Sequence, residues 1–249
     1  MGGQTTPGRL VALCGIDGSG KATQTELLAA RLEREGHPVA RIAFPCYGEG
    51  FFADLIERYL RGELEQDPGE LSPYLAALPY ACDRWQAAGR LRGWLAEGRV
   101  VVCDRYVAAN LAYQGARIPD PRERERFLSW DEELEYEVFD LPRPDLQLLL
   151  EVTPTVASRH LDDRRAGKLA AYGNKEAVRP RGQQILPQFE GYDIHEADAA
   201  YLQRTAETYR ELVARDPAGW AVVRCIEQDR MLTREQIAEA VWAAVGEVL

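Results

Sequence analysis

The residues Gly15-Ile16-Asp17-Gly18-Ser19-Gly20-Lys21 follow an apolar run and open a helical pattern, and they fill seven of the eight positions of the phosphate-loop pattern GxxxxGK[ST]. Successive backbone N–H groups wrap a phosphate only where the chain turns tightly without Cβ clashes, which accounts for Gly15, Gly18 and Gly20. The helix that follows directs its positive end at the same anion, and Lys21 is long enough to reach terminal phosphates. With Ser19, Ala22 and Thr23, these residues form the expected ATP site. Ala22 stands where the pattern asks for a magnesium-binding hydroxyl. Thr23 is one helical step away, about 100° around the axis, so it suits a phosphate better than the metal. Magnesium must therefore lean on water and carboxylates.

A second constellation ends the run VVVCDRY at 100–106. Asp104 falls at the carboxyl end of a buried strand, where open parallel sheets place ligands, and is a candidate magnesium or water-shell ligand. Arg105 beside it suits bidentate phosphate contact, with a strand-end salt bridge as the alternative reading of the segment. On the helix just beyond, Asn110, Tyr113 and Gln114 share one face, and amides that both donate and accept suit a pyrimidine edge.

These groups must be held by an alternation of strands and helices. Apolar runs at 9–14, 39–44, 100–104, 146–152 and 220–225 read as strands. Helical patterns at 21–35, 51–61, 72–96, 121–140, 155–165, 193–214 and 233–249 separate or follow them. Such alternation predicts an α/β protein with a five-stranded parallel sheet flanked by helices on both faces. Pro79 inside the 72–96 pattern predicts a kink or break. The polar, basic stretch at 166–192 interrupts the pattern and reads as a lid spanning roughly 164–194 of a single 1–249 domain.

Forty acidic against thirty basic residues give a formal charge of −10, which disfavours a nucleic-acid partner while permitting a mononucleotide. No run approaches the ~20 apolar residues of a membrane span. The start MGGQTTPGRL lacks the features of a signal peptide, and the five cysteines show no paired spacing, so a reduced, cytoplasmic protein is expected.

Asp104-Arg105-Tyr106 through Ala112-Tyr113-Gln114 resembles the DR[YH]xx[S]xxAYQ signature of thymidylate kinases, and residues 16–24 resemble their phosphate loop GxDGxGKxTQ. The resemblance runs from about Arg9 to the final helix and is weakest at 166–192. It implies the P-loop NTPase fold, ATP as phosphoryl donor with magnesium, a pyrimidine deoxynucleoside monophosphate as acceptor, and a homodimer. It further implies that Asp17 helps place the acceptor sugar and the metal, and that Phe44-Pro45-Cys46-Tyr47 lies at the acceptor phosphate. Many relatives carry arginine where this chain has Cys46, which leaves Tyr47 and Arg105 to take that phosphate. By the same resemblance Tyr80 stacks on the base and Arg84, four residues on, donates to a base carbonyl. An ion pair of Arg84 with Asp83 or Asp104 is the alternative reading. Asn110 would take the ring N–H side and Tyr113 crowd the sugar 2′ position, while Ala109 replaces the signature serine.

The family supplies a catalytic cation from the phosphate loop or from the lid, and this loop has no base. Arg164 is then the first choice, although its place at a helix end also suits the dipole. Asp193-Ile194-His195-Glu196 resembles the lid-end motif, placing Glu196 near the acceptor, and equally fits a helix capping box. The expected function is in-line transfer from MgATP to dTMP, with Lys21, Asp17, Arg105 and Arg164 catalytic. The alternatives are a kinase for dUMP, UMP or CMP, and a nucleotide-binding module with impaired catalysis.

Overall fold

The computed structural model describes residues 8–61, 63, 71–172 and 199–249, the side chains of 164–172 excepted. Strands β1 (Arg9–Cys14), β2 (Val39–Ala43), β3 (Val100–Asp104), β4 (Leu146–Glu151) and β5 (Trp220–Arg224) form one sheet in the order β2-β3-β1-β4-β5. Every pairing in it is parallel. β1 is central and Leu10 through Cys14 have no exposed surface, which is why its sequence is an unbroken apolar run rather than an alternating one. The register sets Leu13 beside Asp104, so the loops leaving β1 and β3 emerge as neighbours at one edge.

Helices α1 (Lys21–Arg34), α2 (Phe51–Leu60), α3 (Pro73–Ala96), α4 (Val107–Gly115), α5 (Pro121–Glu132), α6 (Pro154–Tyr172), α7 (Ala199–Arg215) and α8 (Arg234–Val245) complete the chain. α1 packs on β2 and β3 and pairs with α8, while α4 packs against α3, α5 and α7. α3 is continuous through Pro79, so of the expected kink or break the break does not occur. The buried flanking turns, with Ala76, Ala77, Ala81, Asp83 and Arg84 all inside, hold the helix across the lost hydrogen bond.

Two further departures matter for the site. The predicted helix 121–140 is α-helical only to Glu132 and then widens into a π-helical segment, Glu133–Val138, that buries Glu135. A hairpin of β6 (Ile226–Glu227) and β7 (Arg230–Met231), absent from the sequence reading, follows β5. Of the expected lid, 164–172 continue α6, while the Arg164 side chain and residues 173–198, Glu196 among them, lie outside the described residues. No helix among the described residues is long and apolar enough to cross a membrane.

Candidate active site

The loop between β1 and α1 turns through positive φ at Gly15 (138°), Gly18 (84°) and Gly20 (90°). Gly18 admits no side chain for a second reason: a Cβ there would meet the Ala157 carbonyl oxygen of α6 at 2.4 Å. One turn along α6, His160 Nδ1 lies 2.8 Å from the Gly18 carbonyl, and because a carbonyl only accepts, that nitrogen carries the proton. The ammonium of Lys21 is buried and donates to the carbonyls of Gly15 (3.0 Å) and Ile16 (2.9 Å), with Asp17 Oδ1 3.7 Å away. Burial, with the charge of Arg105 adding to it, lowers its pKa to about 8 against the opposing pull of Asp17 and Asp104. Ser19 Oγ is buried with no hydrogen-bond partner. Ala22 is exposed at the first turn of α1 and Thr23 is half-buried beside it.

Asp17 joins this loop to the end of β3. Arg105 stands in the left-handed region (φ 65°), a conformation that costs a non-glycine residue about 1–3 kcal/mol. Its backbone N–H donates to Leu13 O and its guanidinium pairs with Asp17 Oδ1. Tyr113 Oη donates to Asp17 Oδ2 across 2.8 Å, and the Arg105 guanidinium sits 5.2 Å from the Tyr113 ring. Burial alone would raise the Asp17 pKa, but Arg105, Lys21 and the Tyr113 hydrogen bond outweigh it and hold the carboxyl below the usual range. Tyr113 is itself braced by α7, whose Tyr201 hydroxyl donates to the Tyr113 carbonyl at 2.6 Å.

An open cleft of about 610 Å³ begins at this cluster. Its lining comprises Asp17, Arg105 and Tyr113, then Phe44, Pro45 and Tyr47 from the β2–α2 loop, Leu60 from α2, Tyr80, Asp83 and Arg84 from α3, and Ala109, Asn110 and Gln114 from α4. Seven of the residues chosen from sequence for the acceptor, namely Tyr47, Tyr80, Arg84, Arg105, Asn110, Tyr113 and Gln114, thus meet in one cavity with Asp17. Gln114 is buried and accepts from Arg117 Nη1 at 2.9 Å. Cys46 is absent from the lining: its N–H donates to Asp83 Oδ2 at 3.0 Å and its thiol turns toward Arg90.

The partner of Arg84 is neither Asp83 nor Asp104. Glu135, on the π-helical segment, takes Arg84 Nε and Nη2 at 2.5 and 2.6 Å, and both side chains are buried. Asn110 Nδ2 reaches Asp131 Oδ1 (3.1 Å), Glu135 Oε1 (3.2 Å) and Ala77 O (3.2 Å). Glu135 and Asp131 were missed because they sit in the acidic run DEELEYE, which reads as a solvated face. The His160 contact was missed because only the tertiary fold brings α6 to Gly18.

Asp104 is half-buried, and its Oδ1 is buried without a hydrogen-bond partner, whereas both oxygens of Asp17 are taken. Of the two carboxylates at the loop, Asp104 therefore has the coordination capacity to spare for a cation.

A parallel sheet with a phosphate loop after its central strand, opening on a second cleft beside the neighbouring strand, defines the P-loop class of nucleotide kinases. The comparisons narrow that class. The thymidylate kinase family model matches residues 13–235. Thymidylate kinase of Mycobacterium tuberculosis (strain H37Rv) is 34% identical over 86% of this chain and 90% of its own length. That of Solidesulfovibrio magneticus is 34% identical over 94% and 97%. The solved thymidylate kinase of Candida albicans shares the fold at TM-score 0.65 and 20% identity, over 97% of this chain and 92% of that one. The chain belongs to the thymidylate kinase family.

Proposed function

We propose that this chain transfers the γ-phosphoryl group of ATP to dTMP, giving dTDP and ADP. The observation that carries the reading is the Asp17–Arg105–Tyr113 cluster: one carboxylate belongs to the phosphate loop and is shared by two residues of the adjoining cleft, so donor and acceptor sites meet there.

In this reading the loop amides of Gly15, Gly18, Ser19 and Gly20 with Lys21, Ala22 and Thr23 hold the ATP phosphates. Lys21 leaves its loop carbonyls to meet the terminal phosphates, and Arg105 with Tyr47 receives the acceptor phosphate. Tyr80 stacks on the base, Arg84 and Asn110 read its edge with Gln114 behind them, and Tyr113 crowds the 2′ position. Arg164 and Glu196 remain the proposed lid-side contributors. Catalysis rests on alignment and charge rather than on side-chain proton transfer. Asp104 and, through water, Asp17 would hold magnesium, which when bound neutralises the phosphate oxygens.

We further infer a single kinase domain working as a cytoplasmic homodimer. Leu75 and Trp85 of α3 are exposed (55% and 52%), as an interface on that helix requires, and all five cysteines are free thiols, as a reducing compartment favours. Neither nucleic acid nor a membrane is an expected partner of so acidic a chain.

The experiment is a phosphotransfer assay with MgATP against dTMP, dUMP, UMP, CMP and thymidine. Turnover highest on dTMP supports the reading. Preference for UMP or CMP would redirect it to another pyrimidine kinase, and binding of nucleotide without any turnover would make the chain a binding module.

A further inference from the structure

We infer that Asp131 and Glu135 are positioning residues that fix the hydrogen-bond pattern the cleft shows to the base: Arg84 as donor beside Asn110 as acceptor. The inference rests on the proposed acceptor site and goes beyond it, because neither carboxyl lines the cleft.

Glu135 grips Arg84 through Nε and Nη2, which leaves Nη1 as the guanidinium nitrogen it does not engage. The Asn110 Nδ2 group faces Asp131 Oδ1, Glu135 Oε1 and the Ala77 carbonyl, all three acceptors. Turning the amide over would set its oxygen against the Glu135 carboxylate and the Ala77 carbonyl, neither of which can donate, so the amide has one tenable orientation. Asn110 Oδ1 is therefore the atom left over, and it is buried with no partner. Arg84 and Asn110 both line the cleft.

Thymine and uracil present a carbonyl acceptor next to a ring N–H donor, which this pair complements. Cytosine presents the reverse, an amino donor next to a bare ring nitrogen, and meets donor with donor and acceptor with acceptor. The carboxyls therefore select 4-oxo pyrimidines at one remove. Charge balance supports the arrangement. Glu135 is neutralised by Arg84, while burial and the Glu135 charge push the Asp131 pKa well up. Its Oδ2 has no partner and its Oδ1 accepts from Asn110. The π-helical segment is what turns Glu135 inward.

The test compares wild type with Glu135→Gln on dTMP and dCMP at saturating MgATP. The expected result is a fall in the dTMP-over-dCMP preference of at least about tenfold, carried by the KM for dTMP, with the KM for ATP unchanged within about twofold. An unchanged preference in a variant that folds as wild type does overturns the inference while leaving the dTMP reading intact. Failure of the wild type to phosphorylate dTMP overturns the reading itself, and this inference with it. Should Glu135→Gln not fold, the wild-type protein gives the answer by NMR. The Asn110 side-chain amide protons should resist solvent exchange with and without dTMP, and free exchange in the unliganded protein overturns the inference.

Discussion

Tyr113 Oη donates to Asp17 Oδ2 at 2.8 Å, and that bond ties the acceptor cleft to the phosphate loop. Two properties of Tyr113 are separable. Tyr113→Phe removes a hydrogen bond to a charged group, worth about 1.5–3 kcal/mol, but keeps the ring. Its kcat/KM for dTMP should fall about tenfold or more while the preference for deoxyribose over ribose holds. Tyr113→Ala should lose both. Steady-state kinetics on dTMP and its ribonucleotide counterpart check this, and loss of the sugar preference in the phenylalanine variant would assign that preference to the hydroxyl.

Lys21 titrates at about 8 in the unliganded protein because it is buried beside Arg105. Its charge is present below that pH and is lost as pH rises through it. The KM for ATP should therefore climb by up to about tenfold between pH 7 and pH 9, since one unit above a pKa only about a tenth of the group stays charged. The KM for dTMP, measured over the same range, should move less.

The close approach of α6 at Gly18 predicts a backbone effect. Gly18→Ala must fit a methyl against the Ala157 carbonyl at positive φ. A loss of about 1–3 kcal/mol in unfolding free energy and weaker ATP binding are expected, read by denaturant titration and nucleotide binding.

Asp131 gives a stability prediction with a definite sign. Its folded pKa is raised by burial and by Glu135, against Arg84, from an unfolded value of about 3.9. Between the two values the native state binds the extra proton, so this group's contribution falls as pH rises above about 4. Asp131→Asn carries no such proton, and its stability relative to wild type should improve from pH 5 to pH 8. The groups facing the site, Glu135, Glu132 and Arg84, are common to both proteins. Parallel denaturation curves at the two pH values would contradict the assignment.

The sheet and the phosphate loop were legible in the sequence because local rules decide them. Runs such as VVVCD are short, apolar and rich in β-branched residues, as buried strands are, and the glycines at 15, 18 and 20 all stand at positive φ, where a side chain is strained. The membership of the cleft was legible through the motif that sets Asn110, Tyr113 and Gln114 on one helical face. What tertiary packing decides was not legible. Arg84 found Glu135 rather than Asp83 because the π-helical widening after Glu132 reorients an acidic run. The β6–β7 turn uses Gln228 and Asp229 at positive φ (48° and 57°), where the usual asparagine–glycine signal is missing.

The central claim is ATP-dependent phosphorylation of dTMP at the phosphate loop, and its most direct measurement is dTDP formation from MgATP and dTMP by wild type and by folded Lys21→Ala. The expected result is one dTDP per ADP from wild type and a loss of at least about a hundredfold in the variant. Undiminished turnover in Lys21→Ala, or no dTDP from a folded wild type that binds both nucleotides, would contradict it.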